Sequence, residues 1–289
     1  FQRTSGLEKP AIQVANAGWS WGGQFADFDN DGFLDLYVSS GFYTPPNGIG
    51  NNVDFEVALA TVVRSDETLP QSFRDESQWI IDPSTGEKKP EYERFNLYGT
   101  EFHKHPYSGY ERNKLFINQG GTDFLDISSV SGADDIADSR TWLRWDFDKD
   151  GRTDIVVVNA NRPLLSWYRN QSKEAGHRAG NGFIALRFQG GNDKAEPGKG
   201  MAPRDGYGAR VVIEAGGLRM EREHLCGEGY AGQNSATMLV GIGDAVEATV
   251  TVHWPSGETS ELLVVKSGDL AICNQQSGAT SFKVSRYGE

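Results

Sequence analysis

The chain has little of what marks the commonest function classes. Only two of its 289 residues are cysteine, Cys226 and Cys273, which excludes a cysteine-rich zinc site and a disulfide-dense scaffold. Lysine and arginine total 28 against 40 aspartates and glutamates, a net charge of −12, so electrostatics oppose a nucleic-acid partner. No apolar run approaches the roughly 18 residues that a membrane-spanning helix requires. No signal peptide is visible, and Phe1 is not an initiator methionine, so the sequence reads as processed or cut. The G-x-S-x-G, H-E-x-x-H, P-loop and dinucleotide fingerprints do not occur. Helix-length apolar periodicity is sparse too, whereas 35 glycines and short strand-like runs between Gly/Asn/Asp/Ser clusters argue for a mainly β protein.

What the chain does have is aspartate at close spacing. In "FADFDNDGFLDLYV" the carboxylates of Asp27, Asp29, Asp31 and Asp35 stand at positions one, three, five and nine, with Gly32 at the sharp turn and the carbonyl of Phe33 at position seven. Charges packed this closely repel one another, and burying them uncompensated would cost several kcal/mol, roughly. Hard oxygen donors on a glycine-containing loop suit calcium far better than zinc or copper. A second copy, "WDFDKDGRTDIVVV", places Asp146, Asp148, Asp150 and Asp154 in the same pattern, with Gly151 and the carbonyl of Arg152. The bland alternative is an acidic surface turn without metal. An EF-hand is excluded, because position twelve is Val38 or Val157 rather than Glu, and strands rather than helices follow.

Beyond Gly41 the pattern changes. Residues from about 42 to 112 read as an irregular insertion, with helix candidates at "VDFEVALATVV" and "LPQSFRDESQWI". Regular β pattern resumes at "NKLFINQ" in the order strand, glycine turn, strand, loop, strand, acidic loop, strand, turn, strand, which is a propeller blade's worth of strands. From about residue 175 the runs "FIALRF", "GARVVIEA", "LRMEREH", "TMLVGI" and "EATVTVHW" predict a compact antiparallel β-sandwich or sheet layer. In it Val250, Val252 and Trp254 face one way and Thr249, Thr251 and His253 the other.

These motifs resemble a known family. "GWSWGGQFADFDNDGFLDLYVSSG", "RNKLFINQGG", "SRTWLRWDFDKDGRTDIVVVNANRP" and "YRNQ" are similar to the FG-GAP/VCBS-type repeats of CRTAC1-like proteins, and "GARV", "GIGD" and "VHWPSG" resemble their C-terminal ASPIC/UnbV domain. The resemblance implies a partial β-propeller over residues 1–174, an ASPIC/UnbV-like β domain over 175–289, two calcium ions held by the eight aspartates, and an extracellular or periplasmic location. It implies no shared catalytic activity. "TWLRW", Thr141 to Trp145, departs from the family by its bulk and leaves room for a specialised site.

Candidates for chemistry are few. His224 and Cys226 would share a strand face as base and nucleophile, against a packed or disulfide-bonded cysteine. His103 and His105 could form part of a transition-metal site, or lie in an exposed polar loop. Trp19 and Trp21 read as core rather than as a sugar platform. Cys226 and Cys273 either pair or remain free. The expectation is a non-catalytic calcium-binding assembly, adhesion or interaction module. Its rival is an enzyme acting on a polysaccharide or secondary metabolite, with the insertion over the propeller mouth. Only about two blades are legible and the chain reads as starting within a repeat. The expected partner is therefore an upstream segment or a separate chain that completes or caps the propeller, with a glycan as a possible ligand.

Overall fold

The computed structural model describes residues 1–45 apart from 7, 10 and 15, the backbone of 79–81 and 88–90, and residues 106–289 apart from 197 and 199. Among the described residues, apart from one helical turn at Ser128–Ser131, the regular elements are strands. His103, His105 and the first helix candidate lie outside the described residues. The second candidate ends in a strand instead, because Trp79–Ile81 (β3) pairs antiparallel with Lys88–Pro90 (β4). Hydrophobic β-branched residues at its tail favour extension over a helical turn.

Besides that β3–β4 pair, the described residues of the first half form two antiparallel sheets. One orders as β1 (Ser20–Ala26), β2 (Asp35–Ser40), β5 (Lys114–Asn118) and β6 (Phe124–Asp126). The other orders as β7 (Ser139–Trp145), β8 (Asp154–Asn159) and β9 (Leu165–Tyr168). Alternation decides which residues meet. Tyr37 and Ile117 from the first sheet and Trp142, Ile155 and Val157 from the second face each other and form one core. Trp142 is fully buried and its indole N–H donates to the Tyr37 carbonyl at 3.1 Å, while Gln24 Nε2 donates to the Trp142 carbonyl at 2.6 Å. The bulky "TWLRW" segment therefore serves first as the packing wedge between the sheets. Trp21 is half-buried, stacked on Phe42 at 5.9 Å with the Arg140 guanidinium 4.7 Å from its ring.

The second half is a sandwich. One sheet orders as β13 (Met238–Gly243), β10 (Gly182–Gln189), β16 (Asp269–Gln276) and β17 (Ala279–Arg286), and the other as β12 (Leu218–Glu223), β11 (Arg210–Ala215), β14 (Glu247–His253) and β15 (Leu263–Lys266). Alternate residues of both sheets interdigitate, among them Ile184, Leu186, Val211, Ile213, Val240, Val250, Val252 and Cys273. Val250, Val252 and Trp254 point inward as their alternation requires. One correction applies to the expected antiparallel arrangement: β10 and β16 run parallel. The chain leaves the first sheet after β10, and returns to it at β13 and then β16 by way of the other sheet. Cys273 is buried in this core and Cys226 is exposed, and both are free thiols, so no disulfide joins them.

The sandwich sends the loop after His224 back into the first half. Arg144 N–H donates to Asn234 Oδ1 at 2.8 Å and Ser235 N–H to the Arg144 carbonyl at 3.2 Å. Asn234 Nδ2 also donates to Gln24 Oε1 at 2.9 Å, and Tyr230 packs on Trp21 at 5.1 Å. The free edge of β7, which would otherwise invite strand pairing, is thus occupied by the chain's own C-terminal half. Among the described residues no helix is long and apolar enough to cross a membrane.

Candidate metal centres

Each acidic loop joins the first two strands of its sheet, between β1 and β2 and between β7 and β8. The two loops share one hydrogen-bond frame. The position-five N–H donates to position-one Oδ1 at 3.2 Å in both copies, Asp31 to Asp27 and Asp150 to Asp146. The glycine N–H donates to position-one Oδ2, at 2.9 Å from Gly32 and 2.8 Å from Gly151. Position seven donates back to position five, Phe33 to Asp31 at 2.8 Å and Arg152 to Asp150 at 2.9 Å. Asn30 and Lys149 at position four both adopt left-handed φ, 58° and 59°, and the glycines stand at 91° and 87°. That second conformation is nearly forbidden to other residues, which is why glycine recurs there.

The position-nine aspartate closes the frame. Asp35 accepts from Phe28 N–H at 2.9 Å and Asn118 N–H at 2.8 Å. Asp154 accepts from Phe147 N–H at 3.1 Å and Asn170 N–H at 2.8 Å. The same two asparagines donate Nδ2 to the carbonyl before that aspartate, Asn118 to Leu34 at 2.9 Å and Asn170 to Thr153 at 3.1 Å. Asn118 and Asn170 are the functional residues that the aspartate spacing alone does not reveal. Their signal is the Asn-Gln pair at or just beyond the end of the third strand in both copies, "FINQ" and "YRNQ".

The frame brings carboxylates together. Asp27, Asp29 and Asp35 each offer an oxygen within 4.8 Å of the others, as do Asp146, Asp148 and Asp154. Asp31 and Asp150 stand beside these triplets, one oxygen capping the turn and the other turned to an arginine. Phe33 is half-buried. Arg152 is fully buried and spans outward, donating to Ser172 Oγ at 3.1 Å and the Arg178 carbonyl at 3.0 Å. Burial pushes the Asp27 carboxyl up to about 7 and Asp35 up to about 8, with Asp29 and other loop carboxylates adding repulsion. Desolvation likewise raises Asp146 to about 6. Burial is the largest cause of each rise, and compensating positive charge is incomplete, with Arg222 opposing the rise at Asp27.

Exposed side chains partly supply it. Arg178 lies 2.9 Å from Asp29 and 3.3 Å from Asp31, and His177 3.2 Å from Asp29. Arg169 lies 2.5 Å from Asp148 and 3.9 Å from Asp150. These are long side chains, each more than a third exposed at the rim, whereas the position-one and position-nine carboxylates are held by backbone N–H groups. An all-oxygen donor set of this kind suits a hard divalent cation.

His224 and Cys226 are not assembled for catalysis. The His224 ring is buried between Tyr207 at 4.8 Å and Phe188 at 5.2 Å, its Nε2 is 3.1 Å from the Asp205 carbonyl, and Cys226 is exposed.

With the fold and both loops in view, comparison with known proteins adds one firm relation. Residues 198–280, most of the sandwich, match the family model described as ASPIC and UnbV. No curated protein significantly matches the chain.

Proposed function

We propose that the chain is a calcium-binding interaction module of the extracytoplasmic space, in which two FG-GAP/VCBS-type blades of a CRTAC1-like propeller are locked to an ASPIC/UnbV-like domain. The observation that carries this reading is the repeated frame: two loops, six matched hydrogen bonds, and a triplet of convergent carboxylates in each, buried throughout in the first loop and with Asp148 exposed in the second. Asp27, Asp29 and Asp35 would hold one cation and Asp146, Asp148 and Asp154 the other, with Asp31, Asp150 and the carbonyls of Phe33 and Arg152 as further donors. A bound cation supplies the positive charge that these carboxylates lack, so its binding energy becomes folding energy. Loops of ordinary affinity fill where calcium is plentiful, outside the cytoplasm.

The interaction role rests on the face of the β7–β9 sheet that points away from the shared core. There Trp145, Phe147, Val158, Leu165 and Trp167 are all exposed, with Phe147 4.4 Å from Trp167 and 5.1 Å from Trp145. The opposite face is covered by the preceding sheet, so a further sheet of the same kind is the occupant that repeats the packing. Light scattering on the purified, calcium-loaded chain tests this. Self-association above 31.7 kDa, reversed by Trp167→Glu, is expected. A clean monomer insensitive to that substitution would remove the partner from the account.

A further inference from the structure

Both loops carry the same attachment on their outer side. In the second, Arg169 Nε lies 2.5 Å from Oδ2 of Asp148, position three, and its Nη2 3.9 Å from Oδ2 of Asp150, position five. In the first, Arg178 Nε lies 2.9 Å from Oδ2 of Asp29, again position three, and its Nη2 3.3 Å from Oδ2 of Asp31, position five. The same two nitrogens thus bridge the same two oxygens in each copy. The repeat does not dictate this. Arg169 directly precedes Asn170, whereas the residue directly before Asn118 is Ile117, which lies in the core. The first loop takes its guanidinium from further along the chain, in the stretch between β9 and β10 whose residues from Lys173 to Gly180 are all exposed. Two different chain paths end in one geometry.

The carboxylates keep their places without the arginines. Position-five Oδ1 accepts the position-seven N–H, at 2.8 Å in the first loop and 2.9 Å in the second. Position-three Oδ1 shares the position-five N–H, at 3.2 and 3.4 Å. What the guanidiniums add is charge, and at a solvent-facing edge such pairs are weak and exchangeable. The stretch that carries them has its own anchors, because buried Arg152 donates to Ser172 Oγ and to the Arg178 carbonyl. Between those anchors the tip from Lys173 to His177 is tied through Glu174, 2.7 Å from Arg169, and through His177, 3.2 Å from Asp29. Both ties lead to the acidic loops.

We propose that Arg169 and Arg178 are resident counter-ions that a divalent cation must displace, so that the stretch between the halves is strapped down over empty loops and loosened over filled ones. The proposal deepens the calcium reading above and rests on it. A guanidinium shared by two carboxylates is held by their combined charge. A cation on the same carboxylates takes up that charge and repels the guanidinium at close range. Each arginine therefore weakens cation binding at its own loop by the factor with which the cation weakens the arginine's hold. The two loops differ in what displacement costs. Arg169 has Glu174 to receive it, whereas among the described residues Arg178 pairs only with Asp29 and Asp31. The first loop bears the larger penalty.

Calorimetric titration of the whole chain with calcium at 0.15 M salt, where exposed charges beyond roughly 8 Å are screened, tests the proposal. Arg178→Gln is expected to tighten one of the two sites severalfold and leave the other unchanged, and Arg169→Gln to tighten the other by less. Lys173→Gln, which removes a charge of the same stretch that bridges neither loop, is expected to change neither. In a second readout, calcium is expected to speed cleavage by endoproteinase Lys-C after Lys173 in the wild type, and the double variant Arg169→Gln/Arg178→Gln to be cleaved fast with or without calcium. Calcium binding that is unchanged or weaker in both arginine variants, or calcium that protects the Lys173 bond, overturns the strap and leaves the calcium reading standing. Calcium that binds neither the wild type nor the variants overturns both.

Discussion

The two acidic loops are locally the same structure in different surroundings. In the second loop Asp148 and Lys149 are exposed, and the turn faces solvent. The first loop is buried throughout, from Asp27 to Gly32, because segments from both halves bond to it. Asn170 Nδ2 reaches the Phe28 carbonyl at 2.8 Å, Asn181 Nδ2 the Asp29 carbonyl at 3.0 Å, and Asn30 Nδ2 the Gly151 carbonyl of the other loop at 3.0 Å. From the sandwich, Gly243 N–H donates to the Asn30 carbonyl at 2.9 Å and Arg222 to that of Gly32. One sequence pattern therefore supplies a half-exposed turn in one place and a fully buried junction of both halves in the other. A loop's local code sets its geometry, and its neighbours set how much of the protein depends on it.

The largest expected effect comes from removing the cation. At a free calcium concentration a thousandfold above Kd the bound ion adds about 4 kcal/mol per site, so chelation should lower Tm by roughly 10 °C or more. Asp29→Ala should reproduce most of that drop and Asp148→Ala distinctly less, since the first loop is buried throughout while Asp148 is exposed. Equal drops in a thermal melt would break the comparison between the loops.

Next in size is the crowding of the junction. A Cβ on Gly241 would lie 2.2 Å from Asp27 Oδ2 and 2.4 Å from the Asn30 Cα, so Gly241→Ala should cost about 1–3 kcal/mol and weaken calcium at the first loop alone. Gly180→Ala, where nothing lies within 4 Å of the added atom and φ is not left-handed, controls for the glycine change itself. Denaturant melts with and without calcium separate the two.

The asparagines sharpen the asymmetry further. Asn170→Ala removes bonds to both loops, whereas Asn118→Ala removes a bond to the first only. Each should cost about 1 kcal/mol per lost hydrogen bond, and calcium affinity should fall at both sites in the first variant and at one in the second, by calorimetry. The smallest effect concerns pH. Burial holds the His224 pKa below its ordinary 6.5, so the folded protein keeps it neutral. Its contribution to stability is present above pH 6.5 and is lost as pH falls below that value. His224→Phe should flatten the acid side of the calcium-loaded stability profile.

How much of this was legible follows the same division. The loops could be read residue by residue because each one's geometry is set within nine positions, by aspartates that cap their own turn and a glycine at the positive-φ corner. The strands after them were legible from β-branched runs, and so was the inward face of β14. Long-range features were not. Nothing local says that "TWLRW" is a wedge in its middle, that Arg152 is buried, or that the loop after His224 lies along β7. The β10–β16 parallel pairing was equally hidden, since alternation is the same in either direction. The unexpected strand at Trp79–Ile81 arose where an apolar tail fits both a helix and an extended hairpin.

Calorimetric titration of the chelated chain with calcium tests the central claim most directly. The account predicts two sites per chain, a rise in Tm as they fill, and a single remaining site in Asp29→Ala. No calcium binding, or binding that neither raises Tm nor changes in Asp29→Ala, would contradict it.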